Sequence, residues 1–323
     1  MKPANILVLG GSGFLGSHLV PRLDAAGHSV TVPTRRYERG RHLMVLPKTI
    51  ITRWDPDDDA SLDRLVAGKD VVVNLVGLLH GRSGFATDPY GPDFRRYHVE
   101  LMERLLRASE RAGVSRILHV SALGVTDADP VTLPSSYLRS KAAAEQILRN
   151  GPIDWVVFRP SVMFGPGDSF LTTFAKLQRC LPFLALPCAG ARFQPVYVCD
   201  VADAMTQAVH DPRTTRRVFE LAGPDVYTLI ELARLAGQYS RHRRPVFGVP
   251  LSVGHLMAMA MEKLPMQTLM SRDNLMSMKI DNVASGPPID PIFGITPNSI
   301  DAIAPSYLGP IQSPFNEERR ANR

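Results

Sequence analysis

The run Ile6-Leu-Val-Leu-Gly-Gly-Ser-Gly-Phe-Leu-Gly16 constrains this chain more than any other: an apolar strand turns through glycines straight into a helix. The spacing of Gly10, Gly13 and Gly16 is the pattern that receives a dinucleotide pyrophosphate. The first glycine permits the tight turn, the second removes the side chain that would block the phosphates, and the third lets helix close on strand. The helix start adds unpaired N–H groups and a partial positive charge. Ser12, Phe14 and Leu15 fill the rest of the turn and are read as cofactor contacts with the glycines.

Further apolar runs suited to buried parallel strands lie at Val30 to Val32, Ile50 to Thr52, Val71 to Val76, Ile117 to Ser121 and Trp155 to Phe158. Between them come helical patterns, such as Leu101, Leu105 and Ala108 before Gly113, and Ala142, Ala143, Ile147 and Leu148 before Gly151. Strands alternating with helices predict an α/β protein with a doubly wound parallel sheet, the dinucleotide-binding Rossmann arrangement. The core is expected over residues 1–163. A smaller lobe interwoven with late sheet elements such as Val218 to Ala222 is expected over 164–304, and an irregular tail over 305–323. Pro21, inside the first helix, removes a hydrogen bond and predicts a bend.

The end of the second strand selects the nucleotide. An acidic residue there would receive ribose hydroxyls and repel a 2′-phosphate. This chain instead reads Val32-Pro-Thr-Arg-Arg36, so Arg35 and Arg36 offer charge-assisted bonds to such a phosphate and Thr34 one more. NADP(H) is therefore the preferred cofactor, with Glu38 leaving NAD(H) open. Asp55 reads equally as an adenine contact or as the cap of the next helix.

Tyr137-Leu-Arg-Ser-Lys141 sets a phenol and an amine four apart, on one helical face. An ammonium beside the phenol would lower its pKa and fit it for proton transfer while a nicotinamide exchanges hydride. Ser121 ends the preceding strand and would orient the reacting oxygen.

Together with Val73-Asn74-Leu-Val-Gly77, His119-Val-Ser121 and Arg159-Pro-Ser-Val-Met-Phe-Gly-Pro-Gly167, these motifs resemble the extended short-chain dehydrogenase/reductase superfamily, of the NAD-dependent epimerase/dehydratase-like kind. Gly167-Asp-Ser-Phe-Leu171, Phe193-Gln-Pro-Val-Tyr-Val198, Asp200-Val201 and Ser271-Arg-Asp-Asn-Leu275 are similar to the branch holding the nucleotide-binding accessory subunit of respiratory complex I and its bacterial relatives. The resemblance implies that Asn74 and Gly77 border the cofactor ribose, Pro160 and Ser161 the nicotinamide, and Tyr137 and Lys141 the nicotinamide ribose. It also implies links to quinone and respiratory metabolism. Active members carry a run of hydroxyls after the strand, where Ser121-Ala-Leu123 has one.

Three roles stay open at this point. The chain is an oxidoreductase or epimerase/dehydratase-type enzyme using Tyr137, Lys141 and Ser121, a cofactor-stabilised accessory or assembly protein, or a sensor of the NADPH ratio. Its partners would be a respiratory complex or a quinone-biosynthesis protein. The net charge of +6 is scattered in short clusters such as Arg241-His-Arg-Arg244, which argues against nucleic acid. Cys180, Cys188 and Cys199 lack metal-type spacing and follow no secretory signal; they are read as free thiols of a cytoplasmic protein. No stretch reaches the roughly 18 apolar residues of a membrane span. The methionine-rich segment Leu251 to Met261 is expected to be a lobe helix, or else a peripheral contact at the inner face of the respiratory membrane. His98 is read as a packing histidine, His80 as facing the cleft or water, and Asp200 as a helix cap.

Overall fold

A computed structural model describes residues 2–79, 81–82, 88–263 and 270–309. His80 lies outside them. Seven strands form one sheet: β1 (Asn5–Leu9), β2 (Ser29–Thr34), β3 (Thr49–Arg53), β4 (Val71–Asn74), β5 (Arg116–Val120), β6 (Asp154–Pro160) and β7 (Arg217–Leu221). Their spatial order is β7-β6-β5-β4-β1-β2-β3, and every neighbouring pair is parallel. The order reverses at β1, with β2 on one side and β4 on the other, so a crevice opens at the strand ends where the glycine turn lies.

Side chains alternate between two buried layers because successive residues of a strand face opposite ways. Ile6 and Val8 of β1 pack with Leu19 and Leu23 of α1 (Phe14–Ala25), while Leu7 and Leu9 pack with Leu62, Leu105 and Leu148 on the other face. Those three leucines belong to α2 (Asp59–Val66), α3 (Leu101–Ala112) and α4 (Ser136–Arg149). Both faces are thus covered, as an all-parallel sheet requires. Helix α1 continues through Pro21 without a break. Leu19, Val20 and Leu23 around it are fully buried, which offsets the missing hydrogen bond.

The later chain adds α5 (Phe170–Cys180), α6 (Val198–Ala208), α7 (Leu229–Tyr239), α8 (Leu251–Lys263), α9 (Arg272–Ser277) and α10 (Ile300–Leu308); Val201, Ala202 and Met205 of α6 pack with α1 against the sheet, and the other helices build the lobe. Short strand pairs join it, among them Leu184–Pro187 with Val246–Val249. Because β7 follows lobe elements in sequence yet completes the main sheet, the two parts are interwoven. Helix α10 carries Pro305 in its interior and ends at Leu308, so the expected irregular tail does not begin at residue 305; residues 310–323 lie outside the described ones. Among the described residues, no helix is long and apolar enough to cross a membrane.

One buried ion pair joins the sheet to α4. Arg159 of β6 donates through Nη2 to Glu145 Oε2 at 2.6 Å and through Nε to Oε1 at 3.0 Å. The Glu145 and Arg159 side chains are 2% and 9% exposed, so neither charge has a solvent alternative. Arg159 Nη2 also donates to the exposed Asp127 at 3.0 Å, so Glu145→Ala leaves the guanidinium one solvated partner and is expected to cost about 1–3 kcal/mol of stability in chemical denaturation. A loss under about 1 kcal/mol would mean that the pair is solvated like a surface bridge.

Candidate dinucleotide site

The turn between β1 and α1 is built by backbone constraint. Gly10 adopts φ +78°, and Gly13 N–H donates to its carbonyl at 2.9 Å. A Cβ on Gly16 would lie 2.3 Å from the Gly11 carbonyl oxygen, so the third glycine is required by the turn's own backbone. No side chain caps the N-terminus of α1 at Gly13, which leaves its first N–H groups to an anion.

A cleft of about 1370 Å3 starts at this turn and runs along the strand ends into the lobe. Gly10, Ser12, Gly13, Phe14, Leu15 and Gly16 line its beginning. Ser12 Oγ meets Thr34 Oγ1 at 3.2 Å, tying the turn to the end of β2. Thr34 donates to the Arg36 carbonyl at 3.0 Å, so its proton is spent on shaping the arginine turn. Arg35 and Arg36 are exposed, line the cleft and form no ion pair among the described residues. Arg35 lies over the Tyr97 ring at 5.8 Å.

Asp55 is exposed, and its carboxylate accepts from Asp57 N–H. Its neighbours Trp54 and Pro56 form the wall there. The cap of α2 is Asp58, which accepts from Ser61 N–H, so the capping role expected of Asp55 belongs three residues later. Asn74 is buried and accepts from Val76 N–H at 3.1 Å; it shapes the loop that presents Gly77 to the cleft.

Tyr137 and Lys141 share one face of α4 and reach the cleft with Ser121, Pro160 and Ser161. Lys141 Nζ donates to the Val120 carbonyl at 3.0 Å and to Val76 at 3.4 Å. Burial pulls its pKa down to about 8, against the supporting charge of Glu145. Burial pushes the Tyr137 phenol up to about 12. The expected lowering by the lysine is therefore reversed: desolvation outweighs an ammonium already engaged by two carbonyls. Ser121 Oγ is buried and has no hydrogen-bond partner among the described residues. Leu123, also buried, lines the same wall.

His98 is a packing residue that also sets the loop. Its Nε2 accepts from Leu78 N–H at 2.9 Å, so Nδ1 carries the proton and meets Ser140 Oγ at 2.7 Å. Burial holds its pKa well below the usual range, which keeps the ring neutral. Asp200 does not cap α6; its carboxylate accepts from the backbone and side-chain N–H groups of Asn298, anchoring a distant segment.

Three residues escape a reading of local pattern. Arg39 adds a third exposed cation to the nucleotide end of the cleft. Asp273 accepts from the Ser136 and Tyr137 N–H groups at 2.8 and 3.1 Å, completing the N-terminus of α4. Asn282 Oδ1 accepts from Ser161 Oγ at 2.6 Å and Val162 N–H at 2.9 Å, fixing the chain beyond β6. Only Arg39 had a signal, its place near Arg35 and Arg36; the other two act across more than a hundred residues. Among the described residues no cluster of three or more metal-ligating side chains is present.

A family model described as the NAD dependent epimerase/dehydratase family matches residues 6–222. The mitochondrial NADH dehydrogenase (ubiquinone) 1 alpha subcomplex subunit 9 of Arabidopsis thaliana is 32% identical over 293 residues, covering 86% of this chain and 70% of that one. The mitochondrial 40 kDa subunit of NADH-ubiquinone oxidoreductase of Neurospora crassa is 30% identical over 271 residues, covering 83% and 68%. An NADPH-dependent quinone oxidoreductase from Escherichia coli, complexed with NADPH, shares the fold with a TM-score of 0.73 at 16% identity, over 94% of this chain and 99% of that one.

The depressed pKa of Lys141 has a signed consequence. Folding disfavours its charged form, so this penalty is complete below pH 8 and is relieved as pH rises toward the ordinary value of 10.5. Wild type should gain stability relative to Lys141→Met between about pH 8 and 10, followed by denaturation midpoint. An opposite slope would mean that the ammonium is better solvated than the geometry shows.

Proposed function

We propose that this chain, which belongs to the NAD dependent epimerase/dehydratase family, is an NADP(H)-binding protein that serves respiratory and quinone metabolism with the dinucleotide as a resident group. The observation that carries the cofactor reading is the set of arginines at the end of β2. Arg35, Arg36 and Arg39 line the cleft without ion-pair partners among the described residues, where a site for NAD(H) would present a carboxylate. Glu38 is exposed and outside the cleft wall. The turn fits a pyrophosphate, since among the described residues no side chain caps the first N–H groups of α1 at Gly13.

In this reading the glycine turn with Ser12, Phe14 and Leu15 holds the phosphates, and Arg35 and Arg36 take the 2′-phosphate. Gly77, in the loop held by Asn74, borders the ribose, Tyr137 and Lys141 hold the nicotinamide ribose, and Pro160 and Ser161 border the ring. The names of the mitochondrial relatives, subunits of NADH dehydrogenase (ubiquinone), support a respiratory complex as partner.

The buried Ser121 Oγ, without a hydrogen-bond partner among the described residues, favours a second reading, in which the site also reduces a carbonyl. When bound, the nicotinamide supplies the hydride to carbon. The Tyr137 phenol, protonated at neutral pH with a pKa near 12, gives its proton to the oxygen, and Ser121 donates a hydrogen bond to that oxygen. The product is the alcohol.

At a hundredfold excess over its Kd, NADPH is expected to add about 2.7 kcal/mol of stability, read as a rise in Tm. Arg35→Ala with Arg36→Ala should weaken NADPH about 10- to 100-fold while leaving NADH unchanged, because the loss is that of charged hydrogen bonds to one phosphate. Equal losses for both nucleotides would remove the NADP(H) reading. Tyr137→Phe should weaken NADPH by no more than about tenfold, the loss of one hydrogen bond to the ribose, and abolish any carbonyl reduction. Unchanged turnover would eliminate the second reading.

A further inference from the structure

The cleft is larger than a single small-molecule pocket of roughly 300–1,000 Å3, and its far half changes character. Beyond Tyr137 the wall carries Phe174, Leu177, Leu181, Phe183, Met257 and Met261, beside the polar Thr172, Thr173 and Lys176 of α5. Methionine and phenylalanine walls adapt to flexible apolar shapes and offer no fixed pattern of hydrogen bonds to a sugar.

The mouth of this half is apolar outside as well as inside. Leu181 and Phe183 line the cleft and are 42% and 51% exposed. Phe183 meets Phe247 at 5.4 Å between ring centroids, and Phe247 is itself 44% exposed. Helix α8 follows directly. Ala258 is fully buried, and a Cβ on Gly254 would lie 2.4 Å from Pro187, so this face packs on the lobe. Met257 and Met261 face the cleft, yet Leu251, Val253, Leu256 and Met259 are exposed, with Leu256 at 66%. A helix with no Asp, Glu, Lys or Arg before Glu262, whose solvent side is largely apolar apart from Ser252 and His255, is unlike a lobe helix of a protein surrounded by water. Arginines stand in the chain just before both strands that carry the patch. Arg179 and Arg243 are exposed, and the Arg244 guanidinium bonds the Gln178 carbonyl beside Arg179.

We propose that the far half of the cleft binds the apolar chain of a membrane lipid, drawn in between Phe183 and α8 from an anionic bilayer on which this face rests. The exposed apolar side chains enter the interface and the arginines meet lipid headgroups. The inference rests on the cofactor reading for which half of the cleft is left free.

Two assays test it, each with NADPH binding measured separately so that failure of the cofactor reading is recognised by itself. In the first, cis-parinaric acid is titrated into the full chain. It should bind with a fluorescence rise, and Met261→Trp, which fills the far half, should weaken it about tenfold, the equivalent of two methylenes left in water. The Tm rise with NADPH should be retained, which certifies the variant's fold; Met257→Trp is the second filling variant. No binding by wild type, or equal binding by folded filled variants, overturns the proposal. In the second, the chain is sedimented with vesicles of equal parts phosphatidylcholine and phosphatidylglycerol. Binding should fall with added salt and with Leu256→Ser plus Phe247→Ser. Parinarate binding without sedimentation would overturn the bilayer as source and assign the site to a free fatty ligand.

Discussion

The ion pair between Arg159 and Glu145 is the interaction on which the candidate site depends. It fastens α4 to β6 at the point where both leave the core for the cleft, with bonds of 2.6 to 3.2 Å between groups that water scarcely reaches. A buried pair of this kind adds little net stability compared with apolar packing, and breaking it leaves Arg159 only its bond to the exposed Asp127. Its effect is positional. Tyr137 and Lys141 stand on α4, Pro160 and Ser161 on the end of β6 and just beyond it, so one contact sets both walls of the cleft. Glu145 also supports the charge of Lys141, whose own burial works against it.

The cleft has two chemical characters along its length. At the glycine turn it offers backbone N–H groups and arginines, a surface for phosphate. Past Tyr137 it is walled by phenylalanine, leucine and methionine, and it ends where the protein shows apolar side chains to solvent. The Tyr137 phenol lies at the junction, held neutral by burial and packed edge-on against His98 and Phe94.

The parallel sheet was legible because its strands are continuous apolar runs and its helices are amphipathic, so local pattern and tertiary burial agree. The glycine turn was legible for a similar reason: Gly10 and Gly16 are demanded by backbone geometry within a few residues. The arginines at the end of β2 could be placed by counting from those glycines. What escaped depends on residues far apart in the chain. Nothing near Asp273 or Asn282 says that one completes α4 and the other secures the end of β6. The sign of the Tyr137 shift was missed because spacing shows that a lysine is near, whereas only the folded environment shows how much water both groups have lost. Asp55 and Asp58 are equivalent in composition, and the choice between them as cap rests on backbone angles that sequence does not display.

Asp273 bonds to the backbone of Ser136 and Tyr137 at sequence separations of 137 and 136 residues. A contact of such separation forms only when most of the polypeptide is present, and closing so long a loop is slow compared with forming helices and local strands. During synthesis the glycine turn and the first strands emerge early, whereas the start of α4 lacks its partner until residue 273 has been made. The start of α4 is therefore completed late. Assembly order is in this way written into the hydrogen bonds of one carboxylate, which makes the lobe a proof of completion for the fold it embraces.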